Sequence, residues 1–93
     1  MLNACKAIQA YEGDARLLIG KKYDVIIANI NKNVLLHDIP TYASCLNAKG
    51  TLLLSGFYAA DIEDIKRVCT SVQLGYTSHL EREHWVAVKF TKQ

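Results

Sequence analysis

The chain has 93 residues, 51% of them hydrophobic, and carries 11 Lys plus Arg against 9 Asp plus Glu. A length near the low end for a domain allows one core but not a two-domain enzyme, and the apolar fraction excludes disorder. The formal charge of +2, with acids and bases mixed along the chain, makes no basic stripe, so no direct nucleic-acid partner is expected.

No apolar run approaches the roughly 20 residues that span a bilayer. Met1 to Lys6 lacks the basic start and apolar stretch of a signal peptide. The expectation is a cytoplasmic protein with no membrane partner. Cys5, Cys45 and Cys69 are too far apart to form a redox pair or a close zinc-ligand pair, and they are expected to be reduced thiols, Cys45 and Cys69 packing on helices.

In chain order, Ile8-Gln9-Ala10-Tyr11 forms one short strand leading into Glu12-Gly13-Asp14. Val25 to Ile30 is a continuous apolar, β-branched run, which is the pattern of a parallel strand covered on both faces. Leu35, Ile39, Tyr42, Ala43 and Leu46 then recur at helical spacing. Pro40 removes one helical donor and restricts Ile39, so a kink or two short helical pieces are expected between Asn33 and Leu46.

Ala48-Lys49-Gly50 is expected to turn the chain into a second strand, Thr51 to Ser55. Asp61 is placed to cap a helix with Glu63 and Asp64 in its first turn and a buried stripe of Ile62, Ile65, Cys69 and Val72, running to about Gln73. Tyr76 to Arg82 and Trp85 to Thr91 alternate around Glu83-His84 and predict an antiparallel hairpin. Strands alternating with crossover helices imply a parallel α/β sheet, here finished by an antiparallel pair. In such sheets ligands gather at the carboxyl ends of the strands, which points to Asn29-Ile30-Asn31, Ser55-Gly56-Phe57 and Gly13-Asp14.

Asn29 ends an apolar strand, where an amide otherwise needs a buried partner. Its carboxamide oxygen and the neighbouring carbonyls can accept hydrogen bonds from an amino group; alternatively, Asn29 or Asn31 caps the following helix. Asp14 reads by itself as a turn residue after Gly13. His37, His79 and His84 are scattered without ligand spacing and are expected to be solvated. Ser55-Gly56 lacks the preceding glycine of a nucleophile elbow, and no G-x-G-x-x-G or Walker loop occurs anywhere. Tyr58, Tyr76 and Trp85 are expected to be packing or surface aromatics.

From about Tyr11 to Phe90 the chain resembles the carboxyl-terminal half of a class I S-adenosylmethionine-dependent methyltransferase of the PrmA type, a family that methylates a large-subunit ribosomal protein. The resemblance rests on Glu12-Gly13-Asp14-Ala15, Tyr23 to Ile30, Gly50 to Phe57 and Trp85-Val86-Ala87-Val88. The Asn at the end of the fourth-strand motif is followed by Ile30, where related amino-methylating enzymes usually have Pro.

The resemblance implies a partial Rossmann-like fold forming one partial domain over residues 1–93. It implies S-adenosylmethionine as cofactor, with Asp14 and Ala15 beside its adenine and Asn29 facing both the methyl group and the incoming amine. Ile30 and Ser55 fall to the substrate, an amino group of a ribosomal protein. The family's glycine-rich loop, the acid after its second strand and its amino-terminal recognition domain have no counterpart here, so this chain alone is expected to be inactive. A non-catalytic α/β interaction module or truncated gene product is the other reading. Because the complete fold places other strands beside Val25 to Ile30, that run is expected to be an open edge. It would then either pair with a second copy, giving a homo-oligomer, or be covered by the first dozen residues.

Overall fold

A computed structural model describes residues 6–93 apart from Glu12 and His84. Its elements are β1 (Ala7–Ala10), α1 (Ala15–Leu18), β2 (Tyr23–Asn29), α2 (Lys32–Ser44), β3 (Leu46–Phe57), α3 (Ile62–Ser71), β4 (Leu74–Arg82) and β5 (Trp85–Lys92), with a 3₁₀ turn over Ala59–Asp61. They form one five-stranded sheet in the order β1-β2-β3-β5-β4. β1, β2 and β3 are parallel; β5 runs antiparallel between β3 and β4. The α/β class and the terminal antiparallel pair agree with the sequence reading.

The topology decides which side of the sheet is covered. Each of the three helical crossovers, β1 to β2, β2 to β3 and β3 to β4, steps across the sheet in the same direction. Right-handed crossovers that step one way put every helix on one face. Accordingly α1 packs beside α2 and α2 beside α3. Beneath them lie Ile26, Ala28, Leu52, Leu54, Val86, Val88 and Phe90, all fully buried. Residues of the alternate set, among them Val25, Ile27, Leu53 and Ala87, are not buried. The expectation that Val25 to Ile30 is covered on both faces is therefore corrected: its apolar run feeds one buried face and one open face.

The same strand is not an open edge. Ala7, Ile8, Gln9 and Ala10 pair in parallel register with Val25, Ile26, Ile27 and Ala28, while β3 pairs on the other side. The expected edge is thus occupied by the chain's own early residues, and the free edges are β1 and β4. Asp24 pins this register, because its Oδ2 accepts from the Lys6 backbone N–H at 3.1 Å and its Oδ1 from Asn47 Nδ2 at 3.1 Å.

Helix α2 is continuous over Lys32–Ser44 with Pro40 inside it, rather than two pieces. Its exposed Pro40 sits next to Ile39, Tyr42 and Ala43, whose burial against the sheet holds the helix together despite the lost donor. The expected turn at Ala48–Gly50 lies instead within β3, where Lys49 has φ 68° and the pairing with β2 shifts register between Tyr23 and Val25. This is a bulge that lets one long strand serve two registers. Asp61 precedes α3 but makes no side-chain cap; its Oδ2 accepts from the Tyr58 N–H at 3.2 Å and so ties down the 3₁₀ turn. α3 ends at Ser71, and β4 begins two residues earlier than expected, at Leu74, which is buried. The four-residue α1 was not foreseen, because its short span shows no helical period.

Cys45 and Cys69 are buried, as expected of packing thiols, Cys69 on α3 but Cys45 just beyond the end of α2 rather than on a helix. Burial pushes the Cys69 thiol up to about 12, which keeps it protonated and inert at neutral pH. His37 and His79 lie at the surface, and His84 lies outside the described residues.

α2 and α3 are also joined by charge. Lys32 Nζ lies 2.7 Å from Asp64 Oδ2 and 3.5 Å from Asp61 Oδ1. The hydrogen bond and charge of Lys32 hold the Asp64 carboxyl below its ordinary 3.8, and the bond to Asp64 raises Lys32 above 10.5. A depressed carboxylate contributes stability above its unfolded pKa and loses it as pH falls through the folded value. A raised lysine contributes fully below its unfolded pKa and loses that as pH rises through the folded value. The pair is therefore expected to support the fold between those limits. Thermal unfolding followed against pH checks this: Asp64→Asn should flatten the acid limb below pH 3.8, and added salt should shrink the difference because the pair is partly exposed.

Candidate functional site

The carboxyl ends of β2 and β3 meet at one place. Asn29 and Ser55 are register partners there, and both belong to the open face. The antiparallel β5 begins at this end of the sheet, so its first residue, Trp85, comes alongside. Asn29, Ser55, Gly56 and Trp85 together line a cleft of about 260 Å³.

The alternative for Asn29 was a helix cap. Asn31 fills that role, since its Oδ1 accepts from the Val34 N–H at 3.1 Å at the start of α2. Asn29 is exposed at the end of its strand and is left to face the cleft. Ile30 follows, 4% exposed as a whole residue, with its N–H donated to the Ser55 carbonyl at 3.1 Å. That bond locks the ends of β2 and β3 together.

Gly56 shapes the cleft from below. Its φ is +94°, a conformation that side chains rarely adopt. A Cβ there would stand 2.7 Å from Asn29 Oδ1, 2.8 Å from the Ile30 carbonyl oxygen and 2.9 Å from the Ile30 nitrogen. Both oxygens thus pack against the Gly56 Cα at an approach that only glycine allows.

Of the positions expected to carry chemistry, Asn29 and Ser55 are brought together, with the Ile30 backbone beside them. Asp14 stands apart from the cleft, in the loop after β1, where it is half-buried and its Oδ2 accepts from the Tyr11 N–H at 2.9 Å. This is the turn role read from its sequence context, although a carboxylate has lone pairs for a further donor. Ala15 is buried, with Leu18, on the inner side of α1.

Two contributors were missed. Gly56 lay in a stretch marked for ligands but was given no role, and Trp85 was read as a packing or surface aromatic. It is 50% exposed at the mouth of the cleft. The hairpin itself held the signal: an antiparallel return strand starts at the carboxyl end of the parallel strands, so its first residue belongs to the site.

The sequence matches the family described as "Ribosomal protein L11 methyltransferase (PrmA)" over residues 1–93. The chain belongs to that family. It is 46% identical over 90 residues to a ribosomal protein L11 methyltransferase of Phocaeicola vulgatus, covering 96% of this chain and 32% of that protein. A relative of the same description from Bacteroides thetaiotaomicron is 44% identical over 91 residues, with 97% of this chain and 32% of that protein covered.

Among solved structures, the ribosomal protein L11 methylase of Lactobacillus delbrueckii subsp. bulgaricus aligns with a TM-score of 0.73 at 25% identity. That alignment covers 81% of this chain and 40% of the methylase chain. This chain thus spans about a third of the length of the curated PrmA relatives it matches, and it corresponds to their carboxyl-terminal part. Among the described residues no helix is long and apolar enough to cross a membrane.

Proposed function

We propose that this chain forms the acceptor-side portion of an S-adenosylmethionine-dependent methyltransferase that modifies amino groups, lysine or amino-terminal, of ribosomal protein L11. The observation that carries the reading is the exposed Asn29 beside Ser55 in the cleft at the carboxyl ends of β2 and β3, with the capping of the next helix left to Asn31. In this reading the Asn29 carboxamide oxygen and a neighbouring backbone carbonyl at the cleft accept from a nitrogen with two N–H bonds. A primary amine held by both protons has its lone pair aimed away from the oxygens, which is the orientation that attack on a methyl group requires.

The amine must also be neutral. An ordinary lysine has a pKa of about 10.4 and is mostly protonated at neutral pH. In this reading the cleft beside Trp85, once closed around the substrate, keeps water from the ammonium and so favours the neutral form. When bound, S-adenosylmethionine supplies a methyl on a sulfonium that leaves as a neutral thioether. In this reading Asp14, with Ala15 next to it, lies beside its adenine, and Asn29 faces its methyl end. The sequence has no glycine-rich loop for the remainder.

The test compares two proteins. One is the 93-residue chain; the other, hereafter the joined enzyme, carries this chain behind the preceding portion of the Phocaeicola vulgatus relative. Calorimetric titration should show little or no S-adenosylmethionine binding by the chain alone. The joined enzyme should bind it and transfer labelled methyl to ribosomal protein L11. Low-micromolar binding by the chain alone, or a folded joined enzyme that binds cofactor and labels no amine, would count against the reading.

A further inference from the structure

We infer that the pocket formed by Tyr58, Glu81, Glu83 and Trp85 receives a second, basic side chain, lysine or arginine, of the protein whose amino group enters the cleft at Asn29. The pocket makes the enzyme select amino groups that have a basic residue near them. The identity of the occupant rests on the functional reading; the affinity of the pocket for a cation does not.

Three hollows meet around the Trp85 ring. The first is the cleft of Asn29 and Ser55, which ends at Gly56 and Trp85. The second is lined by Gly56, Phe57, Tyr58 and Trp85. The third, of about 260 Å³, is lined by Tyr58, Ala59, Ala60, Glu81, Glu83 and Trp85. Each shares Trp85 with the next, and Gly56 or Tyr58 besides, so together they make one groove that runs from the acceptor cleft past the indole to the end of the β4–β5 hairpin. The third hollow is smaller than the roughly 300–1,000 Å³ of sites that enclose a small molecule, and its size suits a single side chain.

Its walls have the chemistry of a cation site. Tyr58 is 67% exposed and Trp85 50%. Both are fixed from behind. The Tyr58 N–H donates to Asp61 Oδ2 at 3.2 Å and its carbonyl accepts from the Asp61 N–H at 2.9 Å, while Trp85 is held in the ladder opposite Arg82. Bare aromatic rings on a fixed backbone offer faces that attract cations. Among the described residues neither Glu81 nor Glu83 is in an ion pair, and Arg82 between them does not line the pocket. Two uncompensated carboxylates can take the ammonium or guanidinium while the rings cover its aliphatic stem.

The contrast with the acceptor cleft assigns the occupant. Among the described residues no charged side chain lines that cleft. A carboxylate there would hold the target ammonium charged, against the need for a neutral amine. The glutamates lie instead beyond Trp85, in a hollow that a side chain of the same substrate can reach along the groove. The groove thus sorts two groups of one polypeptide: the target amine goes neutral into the cleft, and its basic neighbour stays charged in the pocket. An acidic neighbour is repelled there, which adds discrimination to attraction.

Trp85 is the only tryptophan of the 93-residue chain, so its fluorescence reports on the pocket directly. The chain is titrated with a short blocked alanine peptide carrying one arginine, and with the same peptide carrying citrulline, which keeps the shape and loses the charge. The arginine peptide should give a saturable change, and the citrulline peptide should bind about tenfold more weakly. The double substitution Glu81→Gln and Glu83→Gln should weaken the arginine peptide by about tenfold as well. Both positions are exposed, so the melting temperature should not move. In the joined enzyme, a lysine peptide with an arginine neighbour should show a KM about tenfold below that of its citrulline counterpart at equal kcat, and the double substitution should erase only that preference. No saturable signal, equal binding of the two peptides, or indifference to the double substitution overturns the inference. Methyl transfer without a preference for the basic neighbour also overturns it and leaves the functional reading standing. Charge-dependent binding in an enzyme that transfers no methyl supports the pocket and counts against the functional reading instead.

Discussion

Asn29→Ala in the joined enzyme is expected to lower the rate of methyl transfer on the order of 100-fold, the penalty typical of misplacing a reacting group by about an ångström. The affinity for S-adenosylmethionine should change far less. The asymmetry follows from the proposed role: Asn29 faces the cleft where the amine would sit, and the helix that follows is capped by Asn31. Removing Asn29 takes away its acceptor oxygen, so the amine is free to rotate its lone pair out of line. Single-turnover rates at saturating cofactor, set beside calorimetric affinities, make the measurement. A variant with unchanged transfer rate and a lowered melting temperature would assign Asn29 to structure alone.

Gly56→Ala is expected to lose both stability and rate, and Gly20→Ala serves as its control. Both glycines have positive φ, +94° and +87°. An alanine at either position pays backbone strain of about 1–3 kcal/mol. The two differ in what the new methyl meets. At Gly20 nothing lies within 4 Å, whereas at Gly56 the methyl falls 2.7 Å from Asn29 Oδ1 and 2.8 Å from the Ile30 oxygen.

Gly20→Ala should therefore unfold at lower temperature and still transfer methyl at the normal rate. Gly56→Ala should unfold earlier and also transfer on the order of 100-fold more slowly, because the acceptors must move apart to make room. Equal activity in the two variants, at equal folded fraction, would remove Gly56 from the site and leave it a turn residue.

The elements that the sequence announced are those whose pattern is local. A β-branched run marks β2, the spacing of Leu35, Ile39, Tyr42 and Ala43 marks α2, and alternation marks the final hairpin; each reflects side chains of one segment meeting one surface. The place of Asn29 and Ser55 was legible for the same reason, since both lie near the carboxyl ends of strands whose direction the crossovers set. Pro40 misled, because its local cost is overcome by the burial of Ile39, Tyr42 and Ala43, which no local rule contains.

Tertiary structure alone decided the rest. Whether Val25 to Ile30 is an edge depends on which strand arrives beside it, and Ala7–Ala10 do so from 18 residues away in sequence. Whether its second face is covered depends on the sense of three crossovers taken together, because only their common direction sends every helix to one side. Trp85 enters the cleft because β5 inserts next to β3, and Gly56 matters because its missing Cβ faces Asn29 and Ile30, residues of another strand and its end. The sequence by itself determined most of the elements, the α/β class with its terminal antiparallel pair, and the family. The free face, the closed edge and the shape of the cleft come from contacts between segments far apart in the chain, which the period of any one segment does not encode.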